Sequence, residues 1–211
     1  MKPLAGVGET RFNGRFDYLL IASLLKPGSR VLDLGCGDGS LLKLLVDKKQ
    51  VIGRGVEISD DGVRQCVGRG LSVCHGDLDE GLGDYPDDVF DYVILSQTLQ
   101  AVHKPELILA EMLRVGRIGI VSFPNFGHWR IRWQLLVTGR MPKTDHLPHE
   151  WYDNPNIRLL TVKDFHDFCA SRNLVIARAW YLSGGREVRV VPNLLAKLAV
   201  FVVRKSQRKL R

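Results

Sequence analysis

The stretch Arg30-Val31-Leu32-Asp33-Leu34-Gly35-Cys36-Gly37-Asp38-Gly39-Ser40-Leu41-Leu42 decides the fold. A short apolar run meets three glycines at alternate positions, and Leu41, Leu42, Leu44 and Leu45 then recur at helical spacing. A switch from strand period to helix period across a glycine turn marks a βαβ unit. Glycine lets the backbone adopt conformations that a side chain forbids and come close to a ligand. In open α/β sheets such a turn lies at the carboxyl edge of the strands, where ligands bind.

The alternation continues along the chain. Strands are predicted over 30–34, 51–58, 71–74, 90–95 and 117–123, and helices over 40–47, 60–69 and 106–114. A further helix bearing Tyr18 precedes the first strand. Strands this apolar are expected to be buried on both faces of a parallel sheet. From Pro124 to Leu160 the pattern breaks into an insertion with three of the four tryptophans and one short helix over 127–137. A helix over 162–172 follows, then strands over 174–181 and 197–203. With a Gly184-Gly185 loop and no helix evident between them, these two read as an antiparallel hairpin at the sheet edge. No repeat, linker or low-complexity tract divides the chain, so one domain over residues 1–211 is expected.

Composition sets the bounds. The 211 residues, 45% hydrophobic and 25% charged, suit one α/β core. No apolar run approaches the roughly 18 residues of a membrane span, and the N-terminus lacks a secretory apolar segment. Cys36, Cys66, Cys74 and Cys169 are dispersed, which fits a reduced cytoplasmic interior better than a disulfide framework. The net charge is +7, yet only residues 204–211 form a basic cluster, which reads as a solubilising tail. His146 and His149 lack companion ligands, so no metal site is expected.

Two details sharpen Asp33-x-Gly35-x-Gly37-x-Gly39. Its third glycine comes one residue earlier than in the dinucleotide fingerprint, and a carboxylate stands two residues before the first. That carboxylate would repel a pyrophosphate but suits a sulfonium ligand with an amino-acid tail. Glu57, ending the second strand, suits a ribose diol, although a strand-end surface charge would look the same. Asp77 in Gly76-Asp77-Leu78-Asp79 suits an adenine amino group, or equally a turn cap. Ser96 and Gln97 emerge from the fourth strand at the same edge.

Taken in order, these strand ends resemble the class I S-adenosylmethionine-dependent methyltransferases. The resemblance implies a Rossmann-like, seven-stranded, mostly parallel sheet with an antiparallel C-terminal strand. It implies that Asp33, Gly35 and Gly37 border the methionine part of S-adenosylmethionine and that Glu57 holds the ribose, with Cys36, Ile58 and Gln97 also among the cofactor-binding residues. Asp77 and Leu78 would hold the adenine, and Ser96 the amino group through its backbone. Longer strings, DLGCGDGSLL, GVEIS, GDLDEGL, FDYVILSQTLQ, SFPNFGHW and EWYDNPNIRLLTVKDF, are similar to the MetW family of methionine-biosynthesis proteins. That family implies a cytoplasmic bacterial protein working with homoserine O-acyltransferase.

The chemistry beyond cofactor binding is less marked. Methyl transfer needs chiefly alignment of acceptor and donor, since the sulfonium leaving group is already activated. Ser96-Gln97-Thr98-Leu99 stands where base- and amide-directed enzymes carry Asn/Asp-Pro-Pro-Tyr, and no Pro-Cys pair occurs, which disfavours nucleic-acid acceptors. Candidate acceptor-pocket residues are Asn125, His128, Trp129, Trp151 and Tyr18. Trp129 and Trp133 share a helix face and suit core packing or a partner interface as well. Two functions follow: a cofactor-binding subunit that supports or regulates the acyltransferase, and an active methyltransferase yielding S-adenosylhomocysteine from a small-molecule or carboxyl acceptor.

Overall fold

The computed structural model describes residues 15–144 and 150–206. Strand β1 (Arg30–Leu34) leads through the glycine turn into helix α2 (Ser40–Lys49), and helix α1 (Phe16–Leu24) precedes it. Then come β2 (Ile52–Glu57), α3 (Asp60–Gly68), β3 (Ser72–His75), β4 (Phe90–Ser96), α4 (Pro105–Val115) and β5 (Gly116–Pro124). Helices α5 (Trp129–Thr138) and α6 (Val162–Ser171), strands β6 (Leu174–Ser183) and β7 (Arg186–Glu187), the single turn α7 (Pro192–Leu195) and β8 (Leu198–Lys205) complete it. One sheet runs in the order β3-β2-β1-β4-β5-β8-β6-β7. The pairs among β1 to β5 are parallel, and β8 lies antiparallel between β5 and β6.

Alternation along the strands builds a core on each face of the sheet. Leu32, Leu34, Val93, Leu95, Phe123 and Phe201 face α4 and α6, while Val31, Tyr92, Ile94, Ile120 and Val200 face α1 and α2. Local signals set the helix boundaries. Ser59 caps α3 by accepting from the Gly62 amide, and Thr161 with Asp164 closes a reciprocal capping box on α6. Gly39 (φ +74°) and Gln50 (φ 53°) bracket α2 with left-handed residues.

The C-terminal end departs from the expected hairpin. β6 and β8 do pair antiparallel, but Gly184-Gly185 turns β6 into the two-residue β7, and α7 intervenes before β8. Pro192 starts that turn at the position where a missing amide costs nothing, and four residues are too few for periodicity to reveal. β8 is interior rather than at the edge because Leu198 to Val203 are buried throughout. The tiny β7 makes the strand count eight instead of seven. Within the 124–160 insertion, α5 starts at Trp129 because His128 serves as its cap.

Gly35 is where the turn leaves least room. Its φ is +67°, and an added Cβ would run into the Thr98 methyl and lie 2.8 Å from Thr98 Oγ1. Gly35→Ala is expected to destabilise the chain by about 1–3 kcal/mol, read as a lower urea midpoint at unchanged m-value.

Candidate cofactor site

Parallel register brings the carboxyl ends of β1, β2 and β4 to one rim, with Asp33 beside Gly55 and Ile94. Two cavities open along it and share Gly35, Gln97 and Thr98 as a common wall. The first, of about 320 Å³, is lined by Glu57, Ile58, Asp77, Leu78, Val102 and His103 among others. The second, of about 210 Å³, is lined by Arg15, Tyr18, Asp33, Cys36, Gly37 and Ser96 among others. Thus Asp33, Gly35, Cys36, Gly37, Glu57, Ile58, Asp77, Leu78, Ser96, Gln97 and Tyr18 all border one trough.

The loop is held by backbone and by one carboxylate. Gly35 and Cys36 amides both donate to the Val56 carbonyl, at 2.8 and 3.1 Å. Glu57 accepts from the Gly37 amide (2.7 Å) and the Ser59 amide (2.9 Å) through different oxygens. Each oxygen keeps a second lone pair. Gly37 sits at φ +56° with nothing within 4 Å of where a Cβ would stand, so the loop is open on its cavity side.

Asp33 is different in kind. Its residue is only 2% exposed, and no hydrogen bond from the described residues reaches its carboxylate. Burial raises its pKa to about 7; Arg15 pulls the other way, and Glu57 and Asp17 add to the rise. A desolvated carboxylate facing a cavity in this way favours a cationic partner there. Tyr18 stays a neutral phenol, since burial pushes its pKa to about 12. Burial likewise raises the Cys36 thiol, whose sulfur lies 3.7 Å from that of Cys66.

The sequence reading missed a polar network beneath this trough. Asp17, fully buried on α1, accepts from Arg15 Nε (3.0 Å) and Nη2 (2.9 Å), Ser96 Oγ (3.1 Å), Gln97 Nε2 (3.3 Å) and Ser122 Oγ (3.3 Å). Burial opposes the charge on Arg15, but Asp17 more than restores it and its pKa is raised. The guanidinium also lies over the Tyr18 ring, 4.2 Å from its centroid. The signal was an aspartate inside the otherwise apolar run of α1, with an arginine two residues before it. Gln97 takes a left-handed φ of 54°, a strained choice for a non-glycine residue beside a cavity.

The acceptor-pocket candidates fare unevenly. Asn125 is 1% exposed and its amide is spent on backbone: it donates to Asn193 and Ala196 carbonyls and accepts from Gly127 and Val162 amides. That fills its four hydrogen-bonding positions, so it fixes loops instead of orienting an acceptor. His128 accepts from the Arg130 amide through Nδ1 and is 5% exposed, which makes it the α5 cap. Trp129 (44%) and Trp151 (74%) are exposed and line neither cavity. Asp77 caps the turn after β3 by accepting from the Asp79 amide while still bordering the larger cavity. His146 and His149 lie outside the described residues, and among the described residues no group of three metal-ligating side chains occurs. Among the same residues, no helix is long and apolar enough to cross a membrane.

Strand order, the antiparallel β8 and the glycine loop together define a Rossmann-like methyltransferase fold. Its likeness to solved structures agrees: an S-adenosylmethionine-dependent methyltransferase from Thermotoga maritima, described as a possible histamine N-methyltransferase, superposes with TM-score 0.65 at 19% identity over 92% of this chain and 91% of its own. The cyclase SpnF superposes with TM-score 0.66 at 17% identity over 96% of this chain and 86% of its own. At such identities the likeness is one of fold. Residues 15–203 match the family model of methionine biosynthesis protein MetW, and the chain belongs to that family. It is 38% identical over 201 residues to the bifunctional methionine biosynthesis protein MetXA/MetW of Rhodopirellula baltica, covering 89% of this chain and 32% of that protein. The chain therefore spans about a third of the length of that curated relative. It is a methyltransferase-like protein associated with methionine biosynthesis.

Proposed function

We propose that the chain binds S-adenosylmethionine across the carboxyl edge of the sheet and, through it, supports or regulates homoserine O-acyltransferase in the cytoplasm. The observation that carries the binding claim is Asp33, a buried carboxylate without a described hydrogen-bond donor, bordering a cavity of amino-acid size. The ligand's ammonium pairs with Asp33 and with the Ser96 carbonyl. Arg15, whose Nη1 bonds none of the described residues, takes its carboxylate. Glu57 accepts from the ribose diol with its remaining lone pairs, and Ile58, Asp77 and Leu78 enclose the adenine in the larger cavity. When bound, S-adenosylmethionine supplies a sulfonium-activated methyl group.

The regulatory reading is favoured over turnover by the acceptor side. Asn125 and His128 serve the fold, and the neutral phenol of Tyr18 offers a hydrogen bond but no base. A fold shared with a cyclase also carries no chemistry by itself. The acyltransferase enters through the relative whose name joins MetXA to MetW in one chain. Acyl transfer to homoserine, measured with and without this chain and S-adenosylmethionine, is expected to change when both are present. An unaltered rate, together with release of S-adenosylhomocysteine from an extract fraction, would favour the methyltransferase reading instead.

Binding is also expected to depend on pH. Burial raises the pKa of Asp33 to about 7, so its ionised share grows between pH 6 and pH 7.5. Affinity for the ammonium-bearing ligand should increase several-fold over that interval. Calorimetric titrations at the two pH values check this, and equal affinities would remove Asp33 as the partner of the ammonium.

A further inference from the structure

Helix α5 turns its apolar face outward. Trp129, Trp133, Leu136 and Val137 are 44%, 62%, 78% and 62% exposed, whereas Ile131 is the helix's one buried residue. Positions 129, 133, 136 and 137 fall on a single stripe of the helix. Arg130 and Arg132 flank that stripe on either side, and Arg140 follows beyond its end. From Gly127 to Thr144 the sequence holds Arg130, Arg132, Arg140 and Lys143 and no acidic residue, and of these cations Lys143 pairs with Glu150 from beyond the segment. An apolar centre rich in tryptophan with an arginine rim has the anatomy of an interface, and water is a poor permanent neighbour for it.

Three occupants compete for this face. A second copy packed on the same stripe would set arginine rims against each other, and α5 itself carries no carboxylate to compensate. A lipid surface suits basic apolar helices, and vesicle sedimentation distinguishes that occupant. A different protein chain does have support: in the Rhodopirellula baltica relative, two thirds of the chain lies outside the region this one matches. We infer that the outward stripe of α5 docks the acyltransferase, on an apolar patch rimmed by carboxylates. This rests on the regulatory reading above and says where the contact is made. Since α5 opens only five residues after β5 ends at Pro124, docking abuts the edge that carries the cofactor trough.

The test uses the full chain, the acyltransferase of the same organism, and the variants Trp133→Glu, Leu136→Glu and Arg140→Glu, with Val175→Glu on β6 as the exposed control. Calorimetry is expected to give at least a hundredfold weaker acyltransferase binding for the two apolar variants and about tenfold weaker for Arg140→Glu. Val175→Glu should bind like the parent, and all four should keep the parent's S-adenosylmethionine affinity and melting temperature. If the parent binds acyltransferase and the α5 variants bind equally well, this face is not the contact. If the parent itself does not bind, the regulatory reading fails. A shift of the isolated chain from dimer to monomer in Leu136→Glu would assign the face to self-association. Loss of sedimentation with phosphatidylserine vesicles, with acyltransferase binding intact, would assign it to lipid.

Discussion

Replacing Asp33 by asparagine is expected to weaken S-adenosylmethionine binding by about a hundredfold while making the free chain more stable at pH 8. The two effects share one cause. Burial lifts the pKa of Asp33 from 3.8 to about 7, so holding it ionised costs the fold about 2–4 kcal/mol at pH 8. This cost is absent below pH 3.8, grows as pH rises toward 7 and is level above it. An isosteric amide removes it, and the melting temperature should rise by roughly 5–10 °C at pH 8, with the gain shrinking toward pH 4. The same amide carries no charge for a ligand ammonium, and removing one member of a buried ion pair costs several kcal/mol. Thermal melts across pH, paired with calorimetry, check both signs. A variant that binds normally would show that the carboxylate has no ligand role.

Glu57→Ala is expected to lower binding and stability together, each substantially. Glu57 is 8% exposed and anchors the amides of Gly37 and Ser59 at 2.7 and 2.9 Å. Bonds from backbone to an ionised acceptor are the stronger kind, and losing two at a buried site should cost about 3 kcal/mol. Without them Gly37 loses the contact that holds its left-handed turn, and the ribose proposed to sit there loses its acceptors. Binding should fall by more than a hundredfold, with the urea midpoint falling as well. The contrast with Asp33 is diagnostic: one carboxylate holds the loop, and the other is tolerated by it. A Glu57→Ala chain as stable as its parent would mean that the loop holds its own shape.

Much of this was legible in the sequence because the informative signals are local. The strand-to-helix switch around Gly35 and Gly37, the apolar strands and the acidic strand ends each occupy a few consecutive residues. Parallel connectivity then brings Asp33, Glu57, Asp77 and Ser96 to one rim without further information. What escaped depends on distant pairs. Asp17 meets Ser96 and Ser122 across separations of 79 and 105 positions, so its role was hidden in an apolar helix. Asn125 read as an acceptor-pocket candidate, but its partners Asn193 and Ala196 arrive from 68 and 71 positions away. The tryptophans of the insertion show the same gap. Their spacing at 129 and 133 announced a helix face, yet composition alone does not say whether that face turns to the core or to solvent.

Calorimetric titration of the purified chain with S-adenosylmethionine, run beside S-adenosylhomocysteine, bears most directly on the carboxyl-edge site. One ligand per chain with micromolar affinity is expected for the cofactor, abolished at that concentration range in Asp33→Asn. Absence of saturable heat for the parent chain at pH 7.5, with the fold intact by circular dichroism, would contradict the site assigned to this edge.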